Sequence, residues 1–253
     1  MSTAFAPDAA TVALLAPTGR LRASINLGNP ILAGTDPASG RARGVSVDLA
    51  HALARRLGVP LETIEFPAAT KSVDAVTGGE ADVGFFAIDP LRGAEIAFTD
   101  AYILIEGAYL VRAESPCRAN EDVDRAGTRV AVGQGSAYDL FLTRELKAAS
   151  FVRVPGAAAV VQALRDGGAD VAGGIRQVLV DVAARDAALR VLPGRFMVIR
   201  QAMGLARTRG PAAEAALRGF VEDMKASGFV AEALARHAVA GATVAPAGAG
   251  PSN

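Results

Sequence analysis

The sequence predicts an α/β fold of two similar lobes, each a parallel sheet covered by helices, and three observations carry that expectation. Apolar runs of strand length alternate with runs of helical period along most of the chain. The alternation is written twice, and the endings "DAVTGGEADVGFFAI" and "QALRDGGADVAGGIR" match in order. Each is a helix stopped by glycines, a short link, and Ala-Asp-Val opening a strand. Two longer apolar segments, "AYILIEGAYLVRAES" and "RFMVIRQAMGLAR", have the length to cross from one lobe to the other and back.

In order along the chain, "LRASINL" alternates between Gly19 and Gly28 and reads as a strand. "GVSVDLAHALARRLG" sets Leu49, Leu53 and Leu57 on one helical stripe, with Asp48 in the first turn and Gly58-Val59-Pro60 as the stop. "PLETIEF" is a strand, "KSVDAVTGG" a short helix and "ADVGFFA" a strand, which implies parallel pairing through right-handed crossovers. The second half repeats this with the strand "TRVAVG", a helix over "SAYDLFLTREL", the strand "SFVRVP", a helix over "AAAVVQALRDGG" and the strand "ADVAGGI". "PAAEAALRGFVEDMKASGFVAEALARHA" is a helical pair expected to pack on the first lobe. The expected boundaries are 18–108 with 203–240 for the first lobe and 109–202 for the second. A low-complexity, disordered tail is expected over 241–253.

Composition excludes several classes. Lys+Arg and Asp+Glu are both 26 in 253 residues, and no basic run is interleaved with aromatics, so nucleic acid is not an expected partner. Cys117 is the only cysteine, which rules out an intrachain disulfide. His51 and His237 lie far apart in helical patterns and read as solvated helix residues, so neither a metal site nor a cofactor is expected. No stretch approaches the about 20 apolar residues of a membrane span. The opening "MSTAFAPDAATVALLAPTGRLRA" lacks the order of charges of a secretory leader, so a cytoplasmic chain is expected as written, and a periplasmic one if the native N-terminus is longer.

Several residues stand out by position. Arg92 follows a core strand, where open α/β sheets hold ligands, although an isolated arginine is more often a solvated loop charge. Gly133, Gln134, Gly135, Ser136 and Ala137 join a strand to a helix, and amides at such a start favour an anionic oxygen. The plain alternative is an N-cap by Ser136, and the two roles are compatible. A dinucleotide loop is disfavoured because Tyr138 takes the last glycine position, and no nearby histidine supports Ser136 as a nucleophile. Phe85 and Phe86 alternate on a strand; core is the safer expectation, with Phe86 as the candidate to reach a ligand. Glu106, in an apolar crossing strand, would be buried with a raised pKa or paired with an arginine. Gln201 and Met203 border the return crossing, with structural roles by default.

The ordered string "GRLRASINLG…GVSVDLAHALARRLGV…AVTGGEADVGFFAIDPLRGAEIAFTDAY", then "DVDRAGTRVAVGQGSAYDLFL" and "ALRDGGADVAGG", resembles the family-3 solute-binding proteins over roughly Thr18 to His237. The resemblance implies the two-lobed type II periplasmic-binding-protein fold, with two crossing hinge strands and a ligand cleft between the lobes. It implies that Arg92 clamps a ligand carboxylate, which suits a planar, permanently charged guanidinium. The segment from Asp82 to Arg92 is shorter than the family's usual spacing, so Asp89-Pro90 is expected to form a different turn. Many amino-acid binders of the family carry an aspartate near Ile175 or Arg176 that receives the ligand's ammonium group. Arg176 and Gln177 stand there instead, a departure that favours a second anionic or carbonyl group, unless Arg176 packs its stem on a helix. In "LGNPILAG", Asn29 occupies the place of a stacking aromatic and offers an amide.

The function implied is non-catalytic binding of a small anionic or zwitterionic metabolite carrying a carboxylate, amino-acid-like or dicarboxylate. Its partner would be an ABC permease if the chain is exported. The alternatives are a cytoplasmic lyase or dehydratase related to cyclohexadienyl dehydratase, with Glu106 or Asp89 as acid or base, or a ligand sensor.

Overall fold

The computed structural model describes residues 5–248. The chain divides into two compact units, residues 1–104 with 200–253 and residues 105–199. In chain order the first unit opens with α1 (Ala9–Leu15), β1 (Leu21–Asn26), the short strands β2 (Gly34–Thr35) and β3 (Ala42–Arg43), α2 (Val45–Leu57), β4 (Leu61–Phe66), α3 (Ala69–Thr77) and β5 (Val83–Ala87). Strand β6 (Ile96–Arg112) carries the chain into the second unit. That unit holds β7 (Arg129–Gly133), α4 (Ala137–Glu145), β8 (Ser150–Val154), α5 (Ala157–Arg165), β9 (Val171–Ile175), α6 (Arg176–Ala183) and β10 (Leu189–Val191). Strand β11 (Met197–Ala206) returns, and α7 (Pro211–Ala226), α8 (Phe229–Arg236) and β12 (Ala242–Val244) complete the first unit. The unit boundaries fall inside β6 and β11, a few residues before the expected 108 and 202.

In the first unit β1 lies between β4 and β5, parallel to both, and β11 runs antiparallel on β5. Leu49, Leu53 and Leu57 of α2 are all buried, as their spacing requires. Gly58 closes α2 at φ 68°, a left-handed cap that returns its N–H to the last turn. Phe85 and Phe86 are both buried. A Cβ on Gly84 would stand 2.2 Å from the Phe86 ring, so the glycine leaves the slot the ring fills. The second unit repeats the plan, with β7 between β8 and β9, parallel to both, and β6 antiparallel on β9.

The repeated Ala-Asp-Val has one structural cause in both units. Asp82 accepts from the Arg22 backbone N–H (2.9 Å) and from its Nε (3.1 Å) and Nη2 (2.8 Å), while its own N–H donates to Arg22 O (2.8 Å). Asp170 does the same with Arg129 at 3.0, 3.0, 2.9 and 2.9 Å. Each arginine also donates to a glycine carbonyl of the preceding helix stop, Gly79 or Gly167. A bidentate arginine–aspartate clasp thus sets the register between the first and third strands of each unit. The copies differ in burial: the Asp82 side chain is fully buried and takes a fourth donor, from Arg209, whereas that of Asp170 is 34% exposed.

Three expectations change. The tail is ordered as far as it is described. β12 pairs with β6, Ala245 donates its N–H to Tyr102 O (3.0 Å), and the buried Lys225 ammonium donates to both Ala101 O (3.1 Å) and Pro246 O (3.0 Å). Two backbone carbonyls satisfied by one desolvated cation hold a segment that composition alone reads as loose. Residues 249–253 of the expected tail lie outside the described residues. The first unit also begins before residue 18: α1, capped by Asp8, packs against α7, and Phe5 meets Phe220 edge-on at 5.7 Å. His237 is mostly buried and shares Asp48 Oδ2 with Arg236, its ring nitrogen at 2.9 Å, which ties the end of α8 to the start of α2.

Candidate functional site

Strand β5 ends at Ala87, and the chain turns at once. Asp89 Oδ1 accepts the Leu91 N–H (2.9 Å) and Asp89 O the Gly93 N–H (2.9 Å), so Asp89-Pro90 forms a side-chain-closed turn leading into one turn of 3₁₀ helix over Arg92–Ala94. Arg207 holds the far side, donating Nη2 to Gly93 O at 2.7 Å. Arg92 is folded inward: it is 8% exposed, and its Nη1 donates to Ala87 O at 3.2 Å. Burial pulls the guanidinium below arginine's ordinary range, opposed by the nearby charge of Asp89, itself 4% exposed. The solvated-loop alternative is therefore excluded. Leu91, beside it, is two-thirds exposed.

Two other candidates of the first unit serve the structure. Phe86 belongs to a core cluster with Val76, Ile96, Phe98 and Ala202, so its ring is committed to packing. The strand alternation that sent one phenylalanine outward fails because β5 is covered on both faces. Asn29 is half-buried, and its Oδ1 accepts the Ile31 N–H at 3.3 Å, closing its own turn.

In the second unit, Ser136 caps α4, its Oγ accepting the Asp139 N–H at 3.1 Å. The loop amides expected to act together are largely spent. Gln134 N–H donates to Val154 O (2.9 Å), Ser136 N–H to Gly133 O (3.0 Å) and Gly135 N–H to the Asp139 carboxylate (2.8 Å). Among the described residues, the amides of Ala137 and Tyr138 remain as the donors that this helix start does not use on its own chain. Asp139 was not singled out by the sequence; an acidic residue three positions after the capping serine is the signal that could have found it.

Of the two expectations for Glu106, a buried acid or an arginine pair, the structure has the pair. The Glu106 side chain is 38% exposed and sits between two guanidiniums, Arg195 at 2.6 Å and Arg176 at 3.6 Å. Arg176 opens α6, a helix not read from the sequence, and donates to Gly194 O, while Gln177 reaches along the helix to Asp181 at 2.8 Å. Two cations around one acid leave this corner of the unit with a net positive charge. Arg195 also went unnoticed, because its link to Glu106 spans most of the second unit in sequence.

Comparison with known proteins agrees with the architecture. A family described as "Bacterial extracellular solute-binding proteins, family 3" matches residues 32–239. No curated protein matches the chain. Among solved structures, an ancestral amino acid-binding protein described as a precursor of cyclohexadienyl dehydratase superposes with TM-score 0.73 at 21% identity, covering 89% of this chain and 98% of that one. A putative ABC-transporter binding component from Wolinella succinogenes, complexed with lysine, gives 0.73 at 21% identity, covering 86% and 95%. The amino-acid substrate-binding protein AbpA from Streptococcus pneumoniae, bound to L-arginine, gives 0.74 at 18% identity, covering 88% and 96%. At these identities the likeness is one of fold. Among the described residues no helix is long and apolar enough to cross a membrane.

Proposed function

The chain belongs to the bacterial extracellular solute-binding proteins, family 3, and from that premise we propose that it binds a small carboxylate-bearing solute, amino-acid-like or dicarboxylate, without transforming it, for delivery to an ABC permease. The observation that carries this reading is Arg92. A planar, permanently charged guanidinium held at the end of a core strand and braced by a closed turn suits a ligand carboxylate. A separate candidate anion contact within the second unit is the start of α4, where the Ala137 and Tyr138 amides offer donors.

The ligand class is narrowed by charge. Two of the solved structures named above hold lysine or L-arginine. In this chain Arg176 and Arg195 flank Glu106, which disfavours a second cation and favours a neutral or acidic side group. The same pairing argues against Glu106 as an acid–base catalyst, since each of its carboxylate oxygens already faces a guanidinium.

The test is a thermal-shift screen of L-amino acids and short dicarboxylates, followed by calorimetry with Arg92→Met. Loss of binding with retained fold supports the assignment. Unchanged affinity in that variant removes it, and turnover of the bound compound replaces the binder with an enzyme.

A further inference from the structure

The segment that follows α8 starts from a strained residue and is held by few groups. Among the described residues, Ala238 is the one residue other than glycine at positive φ, 49°. It stands where helix ends place glycine: its N–H donates to Ala235 O (3.0 Å) and that of Val239 to Leu234 O (2.9 Å), which closes α8. A Cβ in this left-handed conformation crowds the following carbonyl, a strain that glycine would not carry. His237 pins the same helix end to Asp48 of α2, so the strained turn has a fixed base.

Beyond the turn, β12 and the residues up to Gly248 lie outside the span 32–239 that the family matches. Between Gly241 and Gly248 only the Ala245 side chain is buried. Attachment comes instead from the pairing of β12 with β6, from Ala245 N–H on Tyr102 O (3.0 Å) and from Gly248 N–H on Glu222 Oε2 (3.3 Å). One side chain completes it. The Lys225 ammonium joins Pro246 O to Ala101 O and pairs with Glu222, its side chain 4% exposed.

We propose that residues 238–248 form a sprung strap on β6, which Ala238 loads, Lys225 clips, and which opens ahead of the rest of the first unit. A segment with so little apolar surface to bury belongs to the low-stability end of a fold. The clip spans three elements: α7 supplies the ammonium, β6 one carbonyl and the strap the other. Loss of that one cation therefore frees both carbonyls together. The strap lies on β6 at Ala101 and Tyr102, just before the first unit's share of that strand ends at Leu104. Opening it leaves β6 with an unpaired edge where the chain is about to pass to the second unit. The strap is thus a brake on that stretch of β6.

The test is hydrogen–deuterium exchange of the full chain read by mass spectrometry, following residues 240–248, residues 99–104 and β1. The last lies between two strands and reports opening of the unit as a whole. In the parent protein the strap exchanges roughly ten-fold or more faster than β1. Ala238→Gly unloads the turn and slows the strap about three- to five-fold, the upper figure being the equilibrium ratio of roughly 1 kcal/mol. Lys225→Met, similar in length and uncharged, speeds both the strap and residues 99–104 about ten-fold and leaves β1 unchanged. A parent strap that exchanges in step with β1 overturns the inference, as does an Ala238→Gly strap that is no slower. Should Lys225→Met speed β1 as much as the strap, the lysine supports the whole unit and is no clip. A faster strap beside unchanged exchange at residues 99–104 removes the brake.

Discussion

The twin clasps allow an internal comparison, because the same substitution can be made at equivalent places with different burial. Asp82→Ala strands two guanidiniums, Arg22 and Arg209, whose side chains are only 21% and 23% exposed, and leaves the Arg22 N–H without its acceptor. Breaking a buried pair on one side costs about 3–5 kcal/mol. The orphaned amide falls within that range, since the terms do not add, so about 4 kcal/mol is expected. Asp170→Ala removes the matching bonds to Arg129, with a looser Arg112 pair at 3.6 Å in place of the Arg209 contact, but its carboxylate is 34% exposed and the Arg129 side chain 43% exposed, so water takes over part of the role. Charge-assisted bonds of about 1.5–3 kcal/mol, discounted for that access, leave about 1–2 kcal/mol. At about 2–4 °C per kcal/mol for a chain of this size, the melting points fall by roughly 8–16 °C and 2–8 °C respectively. Differential scanning calorimetry on the two variants reads both. Equal losses, or a larger loss at Asp170, would refute the claim that the buried clasp is worth more than the exposed one.

Two further outcomes follow from the same geometry. Phe86→Leu should cost about 1–2 kcal/mol by urea denaturation, as a partial core truncation, and leave ligand affinity within about three-fold; weakened binding at unchanged stability would put the ring at the ligand. Acid should weaken the second unit. Backbone N–H groups of Lys147, Ala148 and Ala149 hold the Asp124 carboxyl below its usual range, and the Arg129 side chain does so for Asp170. Folded values below the unfolded value of about 3.9 mean that this stability is present above about pH 4 and is lost as pH falls through the folded values. Asp124→Asn should therefore flatten the fall in melting temperature between neutral and acid pH, and a slope identical to that of the parent protein would count against it.

Which parts of this molecule can be read from its sequence depends on whether the cause is local. Leu49, Leu53 and Leu57 declare α2 because period and burial are properties of adjacent turns, and Ala-Asp-Val declares two strand starts because the chain writes it twice. The clasp behind that repeat is not visible, since Arg22 and Arg129 lie 60 and 41 residues from their aspartates. Distance in sequence likewise hides Arg195 from Glu106, and with it the reason a carboxylate tolerates an apolar strand: it faces two cations. Composition misleads at the tail, where "GATVAPAG" has little to bury but its backbone finds β6 and the Lys225 ammonium. Arg92 lies between these cases. The end of β5 is legible and marks the residue, but whether its guanidinium turns inward is decided by the Asp89 turn and by Arg207, which pins Gly93 from more than a hundred residues away. A buried arginine is thus announced by its strand and oriented by groups that no local pattern reveals. For that reason Arg207→Ala should loosen the turn and weaken ligand binding, though Arg207 is placed to brace the loop rather than to hold the ligand.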